Sequence, residues 1–100
     1  MRRYGKTGGH IRARIGETFA LELPSRPTAG YVWEVSRAPE VAVLKEERMR
    51  PGGAAAGATS VQEFEFTAAH AGEGVLVVEY KRPWERTARE RIEWIVVVEP

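Results

Sequence analysis

The chain has 100 residues, of which 43% are hydrophobic and 29% charged, so its composition is that of one modest globular domain and excludes a disordered chain. Its formal net charge of +1 provides no global field for nucleic acid or an acidic membrane, and we expect neither as a partner. Cysteine is absent, which excludes disulfides, thiolate metal sites and a cysteine nucleophile.

The first ten residues carry arginines without an apolar run behind them, which argues against a signal peptide. No stretch approaches the roughly 20 apolar residues that span a bilayer. We predict a single domain over 1–100, in which 1–10 forms a flexible tail. The sequence leaves the compartment open, since the protein either stays inside the cell or has lost a leader.

Seven segments then alternate apolar and polar side chains with the period of two that half-buried strands show. In chain order they are 11–15, 19–23, 31–35, 41–49, 64–66, 75–80 and 92–98. The last two are apolar on both faces over part of their length, as central strands are. The pattern predicts an all-β fold, an immunoglobulin-like antiparallel β-sandwich of about seven strands.

Three connections differ from ordinary polar turns. They are the proline loop (26–31, between the second and third strands), the glycine loop (51–60, between the fourth and fifth) and the tryptophan loop (82–85, between the sixth and seventh). If successive strands run antiparallel, connections alternate between the two ends of the molecule, and these three share one end. A cluster of stiff, partly apolar loops on a rigid scaffold is typical of a binding edge.

The proline loop is stiff, because Pro27 restricts φ and Gly30 permits a positive φ. Thr28 and Ala29 between them are small and uncharged. The loop is therefore either a plain tight turn or a preorganised tip that enters a narrow cleft and loses little entropy on docking.

The other two loops also have two interpretations. Trp84 either folds back onto the edge of the sandwich or, with Arg82, forms an interface hot spot. The glycine loop is either a tolerated insertion or a place where bare backbone approaches a partner.

Catalytic interpretations have little support. The two histidines are His10 in the predicted tail and His70 in a turn at the opposite end from the three loops. The glutamates mostly occupy outward strand positions, where a solvated face is the simplest interpretation: Glu63, Glu65, Glu93 and Glu99. No metal-ligand spacing and no phosphate-binding loop are present, so we expect no enzyme, no metal and no cofactor.

One motif is matched in full. Tyr80, Arg82, Pro83, Trp84 and Glu85 reproduce the Tyr-x-Arg-Pro-Trp-Glu element of the chagasin-like inhibitors of papain-type cysteine peptidases. This chain resembles that family from about residue 15 to its C-terminus.

Two further elements match in part. The family's Asn-Pro-Thr-Thr-Gly-Tyr/Phe loop, followed by Trp, is similar to 26–31 and Trp33, with Arg26 for the asparagine and Ala29 for the second threonine. Its Gly-x-Gly-Gly element before a Phe-x-Phe strand is similar to 57–60 before 64–66, with Thr59-Ser60 for the paired glycines.

The resemblance implies a reversible, non-covalent inhibitor whose three loops enter the peptidase cleft as a wedge. It implies that Thr28 lies nearest the reactive sulfur and that Trp84 packs beside the catalytic histidine. The peptidase-binding residues it implies are Pro27, Thr28, Ala29, Gly30, Tyr31, Gly57, Ala58, Thr59, Arg82, Pro83 and Trp84.

Two other functions stay open from the sequence. One is a non-inhibitory adhesion or assembly module that uses the same loop edge, and the other is a structural domain of a longer chain. We expect the protein to be a monomer whose partner is a papain-like cysteine peptidase.

Overall fold

The structure is a computed structural model that describes residues 1–51 and 59–100. Within these ranges eight strands form two four-stranded sheets, in the orders β1-β3-β6-β5 and β2-β8-β7-β4. The strands are β1 (Arg2–Tyr4), β2 (Gly9–Arg14), β3 (Thr18–Ser25), β4 (Val32–Arg37), β5 (Ala42–Arg50), β6 (Ser60–Ala68), β7 (Gly72–Lys81) and β8 (Glu90–Glu99). None of the helices in the described ranges is long and apolar enough to cross a membrane.

The all-β sandwich predicted from the alternation is confirmed, and the seven predicted strands correspond to β2 through β8. The other strand pairs are antiparallel, but β1 pairs with β3 and β2 with β8 in parallel, so both sheets are mixed. These partners are not consecutive in the chain, so no hairpin forces them to be antiparallel.

Half of the first ten residues belong to strands, so this segment is not the flexible tail that was predicted. Arg2–Tyr4 pairs with β3, and Gly9 and His10 open β2 against β8. The turn between them carries the chain from one sheet to the other. Gly8 in this turn has φ +66°, and a Cβ there would lie 2.8 Å from the carbonyl oxygen of Glu93. Only glycine permits such an approach. The strand β1 was not predicted because it is too short to show an alternation.

The core contains the inward side chains of both sheets, as the alternation predicted. Its largest fully buried members are Trp33, Trp94, Phe19, Phe64 and Phe66. Phe19 and Phe66 stack at 5.4 Å between ring centroids. Each large apolar side chain removed from water contributes about 1.5–3 kcal/mol, so this layer holds the two sheets together.

Ile15 departs from the predicted inward pattern, with 50% of its surface exposed. β2 ends at Arg14, and the backbone N–H of Glu17 donates to the carbonyl of Arg14 at 3.0 Å. Ile15 therefore lies in a turn, outside the repeat of the strand.

Gln62 joins the two sheets through hydrogen bonds. It lies on β6 with 3% of its surface exposed. Its Oε1 accepts from the backbone N–H of Trp33 at 2.8 Å, and its Nε2 donates to the Trp33 carbonyl at 2.7 Å. β4 is an edge strand of the other sheet. The Gln62 amide thus satisfies backbone groups that a further strand would otherwise pair.

A chain of ion pairs covers the outer face of the sheet that contains β1, β3, β6 and β5. It contains Arg3, Glu22, Glu46, Arg48, Arg50, Glu63 and Glu65. Glu63 faces outward as predicted, but its interpretation as a solvated residue was wrong. It is 7% exposed, because Arg48 at 2.5 Å and Arg50 at 3.5 Å cover it. A hydrogen bond and the charge of Glu46, with a smaller contribution from Glu63, raise the pKa of Arg48.

Glu63→Gln is expected to lower the free energy of unfolding by about 1 kcal/mol. The two arginines remain half-exposed and regain water, so the loss stays well below that of a fully buried pair. Urea denaturation at low and at high salt measures it, and the difference between variant and wild type should shrink at high salt. The matched control is Glu93→Gln, which breaks the exposed pair with Arg91 and should change stability little. Equal effects for the two variants would contradict a special role for Glu63.

Candidate functional site

The described parts of the three loops lie at one end of the sandwich, as the parity of the strands predicted. Arg82 Nε donates to the carbonyl oxygen of Ala29 at 3.1 Å, which links the tryptophan and proline loops. Ser25 pairs with Ser60, so Thr59 lies beside the start of the proline loop. Gly57 and Ala58 lie outside the described residues.

The proline loop forms a 3-10 turn over Pro27–Ala29. The N–H of Ala29 donates to the Arg26 carbonyl at 3.0 Å, and the N–H of Gly30 donates to the Pro27 carbonyl at 2.9 Å. Gly30 closes the turn at φ +85°, a conformation that glycine adopts without strain. Pro27 stands at the first helical position, where its fixed φ is already suitable. The turn at the tip is therefore closed by its own backbone hydrogen bonds.

Arg26 stands where the family motif has asparagine, and it makes no side-chain cap to the turn. Its backbone N–H instead donates to the hydroxyl of Tyr80 at 3.0 Å. Arg26 also forms a bridge with Tyr31 across the base of the loop. These contacts hold the proline loop closed without an asparagine side chain.

The tryptophan loop is a tight turn with Pro83 and Trp84 at its centre. Glu85 closes it twice: its N–H donates to the Arg82 carbonyl, and its Oε1 accepts from the Arg82 N–H, both at 3.0 Å. Trp84 is 74% exposed. A Cβ built on Gly30 would lie 3.4 Å from the indole Cη2, so the indole lies alongside the proline loop. With this exposure, Trp84 is not folded back onto the edge of the sandwich, which leaves the interface interpretation.

A stack of aromatic rings and guanidinium groups connects the two loops to the core. Tyr80 contacts buried Trp33 at 4.8 Å and Tyr31 at 5.4 Å, measured between ring centroids. The guanidinium carbons of Arg82 and Arg89 lie 4.6 Å and 5.2 Å from the centroid of Tyr31. Aromatic pairs and cation–π contacts each contribute about 0.5–1 kcal/mol to stability, and here they form a continuous row from the core to the loops. The loops are therefore ordered before any partner arrives.

Two residues that support the site were missing from the sequence prediction. Tyr80 holds the Arg26 backbone and the ring of Tyr31, and Arg89 donates from Nη1 to the Tyr31 hydroxyl at 3.3 Å. Tyr80 opens the matched motif, which was an available signal. Arg89 follows the turn in sequence, and only the folded chain brings it next to Tyr31.

The chemistry of this end is that of binding. The loops carry an indole, guanidinium groups and shaped backbone, and neither histidine belongs to them. In residues 1–51 and 59–100 no three metal-ligating side chains are grouped together.

Comparison with protein families matches residues 12–98 to the Chagasin family peptidase inhibitor I42. The chain belongs to this family. Chagasin of Trypanosoma cruzi is 26% identical over 83 residues, which cover 77% of this chain and 76% of chagasin.

Two solved structures share the fold. The cysteine protease inhibitor EhICP2 from Entamoeba histolytica has a TM-score of 0.87 at 16% identity, covering 98% of this chain and 95% of its own. PbICP-C, solved in complex with falcipain-2, has a TM-score of 0.68 at 13% identity, covering 99% and 100%. Family membership confirms the predicted function: this chagasin-family protein is an inhibitor of papain-like cysteine peptidases and not an enzyme.

Proposed function

We propose that the protein inhibits its target reversibly and without a covalent bond, as one domain that inserts the proline, glycine and tryptophan loops into the active-site cleft. In this mode Thr28 lies nearest the catalytic sulfur. The residues proposed to contact the peptidase are Pro27, Thr28, Ala29, Gly30, Tyr31, Gly57, Ala58, Thr59, Arg82, Pro83 and Trp84.

One observation carries the proposal: a 74% exposed tryptophan lies alongside a turn that is already closed by its own backbone. A large exposed aromatic ring adds nothing to the stability of a monomer, and aromatic anchors of this kind dominate interface energies. The Arg82 hydrogen bond to Ala29 holds the anchor and the turn in one arrangement. Little conformational entropy is then lost on docking.

The geometry of the proline loop also accounts for inhibition without cleavage. The nucleophile of a papain-like peptidase is a thiolate paired with an imidazolium. A substrate presents an extended peptide to it, whereas the peptides at 27–29 are held in a 3-10 turn. The inhibitor therefore covers the thiolate with backbone that is not in the geometry for attack.

Titration of papain with the protein, followed by gel analysis of the mixture, tests the mode of inhibition. We expect loss of peptidase activity together with an inhibitor that stays intact. A cleaved inhibitor would contradict non-covalent blockage. A flat response across several papain-like peptidases would instead favour the adhesion or assembly module.

Trp84→Ala is expected to weaken inhibition by about 2 kcal/mol, or roughly 30-fold in the inhibition constant, the usual scale for a buried aromatic anchor. The ring is largely exposed in the free protein, so the thermal midpoint should not change. Ile15→Ala removes a half-exposed apolar side chain away from the loops and should retain full inhibition. An unchanged inhibition constant for Trp84→Ala would remove Trp84 from the site.

A further inference from the structure

A groove of about 630 Å³ lies beside the proposed peptidase-binding loops. Its wall includes Ala29, Tyr31 and Tyr80, and Thr59 borders it from the glycine loop. The groove is therefore continuous with the end of the molecule that carries Trp84.

The charged side chains of the groove are mostly basic. Lys6, Arg26, Arg82 and Arg89 line it, and Glu90 is the acidic residue among its lining. Lys6 pairs with Glu90 at 2.7 Å. The ion pairs between described residues include none of the three arginines, and the segment 52–58 contains no acidic residue by sequence. Because the whole chain has a net charge of +1, this excess is local.

Lys6 belongs to a fourth connection at the loop end. The turn at 5–8 joins β1 to β2, and parallel pairing with β3 and β8 places it at the end where β3 finishes and β8 begins. Lys6 Nζ also lies 5.9 Å from the centroid of the Trp33 ring. The parity of seven strands did not predict this turn, because β1 was not predicted.

We infer that this groove binds carboxylate side chains on the rim of the target's cleft, and so selects papain-like peptidases with an acidic rim. The inference rests on the proposed function, since inserting the three loops would place the rim opposite the groove. A guanidinium group presents parallel N–H donors that match the two oxygens of a carboxylate. A groove edged by several such groups, with one internal acid already paired, is complementary to added negative charge.

A double-mutant cycle tests the inference, using a papain-like peptidase chosen for carboxylates on its cleft rim and a variant of that peptidase with those carboxylates changed to amides. The inhibitor variant is Lys6→Gln/Arg26→Gln. Each partner's change alone is expected to weaken inhibition about tenfold, and the two together should weaken it little further. The association rate of the unmodified pair should also fall as salt is raised.

The matched control is Arg12→Gln/Arg37→Gln, which removes the same charge elsewhere on the sandwich. Arg12 matches Lys6, because it too is paired with a glutamate, Glu99. Arg37 matches Arg26, because both are exposed. This control should inhibit like the wild type. Two results would overturn the groove assignment and leave the proposed function standing. One is undiminished inhibition by Lys6→Gln/Arg26→Gln. The other is a loss for the doubly changed pair equal to the product of the two single losses, which would show that the groove and the rim carboxylates do not interact. Failure of the wild type to inhibit either peptidase would overturn the proposed function and the groove assignment with it.

Discussion

Replacing Thr28 by arginine is expected to weaken inhibition at least about a hundredfold, which corresponds to roughly 2.7 kcal/mol. Thr28 is the middle residue of the 3-10 turn Pro27–Ala29, at the point of the loop proposed to lie nearest the thiolate. A long charged side chain there meets the floor of a narrow cleft, and the turn cannot move aside because its own hydrogen bonds and the contact with Arg82 hold it. Steric exclusion of this kind acts directly against the complex.

Two control variants test whether the loss of inhibition requires both position 28 and a large side chain there. Thr18→Arg adds the same side chain to an exposed position at the opposite end of β3 and should inhibit like the wild type. Thr28→Ser keeps the tip small and should do the same. Inhibition constants for all three, with thermal midpoints to show that each is folded, complete the test. Full potency of Thr28→Arg would mean that the proline loop does not enter the cleft.

Gln62→Leu is expected to lower the free energy of unfolding by about 3 kcal/mol. Leucine fills a similar volume, so packing changes little. The loss of stability arises because the backbone N–H and carbonyl of Trp33 stay buried without their hydrogen-bond partner, the Gln62 amide. Each buried backbone group without a partner costs about 1–3 kcal/mol. Urea denaturation should show a lower midpoint with an unchanged slope, and the thermal midpoint should fall by roughly 15 °C.

Thr67→Val is the matched control, since it replaces a polar residue by an apolar one on the outer face of the same strand. It should change stability by less than about 0.5 kcal/mol. A similarly small effect for Gln62→Leu would show that water or a shifted backbone replaces the amide without penalty. The hydrogen bonds of Gln62 would then not be what holds β4 to the opposite sheet.

Much of the fold could be predicted because local alternation reports directly on burial. The inward residues of β3 and β8, such as Phe19, Leu21, Trp94 and Val96, followed the period of two and are buried. Turn residues marked the connections from β2 to β8, and parity predicted that the three unusual ones share one end, but the turn at 5–8 was missed together with β1. The strand β1 was missed because three residues, two of them arginines, contain no repeat from which burial can be inferred.

The candidate site was predictable to the extent that it consists of motifs contiguous in sequence. Pro27, Gly30 and the run Arg82 to Glu85 predict stiff turns by their own backbone preferences, and the structure shows both turns. Glu63 shows the opposite case. Its position on the strand correctly predicted that it lies on the outer face of the sheet. Its exposure to solvent, however, depends on Arg48 and Arg50 of a neighbouring strand.

The sequence by itself determined the elements with a local cause: the strands that alternate, the turns that need proline or glycine, and the end that the described parts of the three loops share. Only the tertiary structure decided which distant groups meet there. It placed Gln62 on the backbone of Trp33, two arginines next to the ring of Tyr31, and Lys6 beside Glu90. The physical reason is that backbone preference and burial period act over a few residues. Hydrogen bonds, ion pairs and ring contacts between strands depend on register and sheet order, which no single segment of the chain encodes.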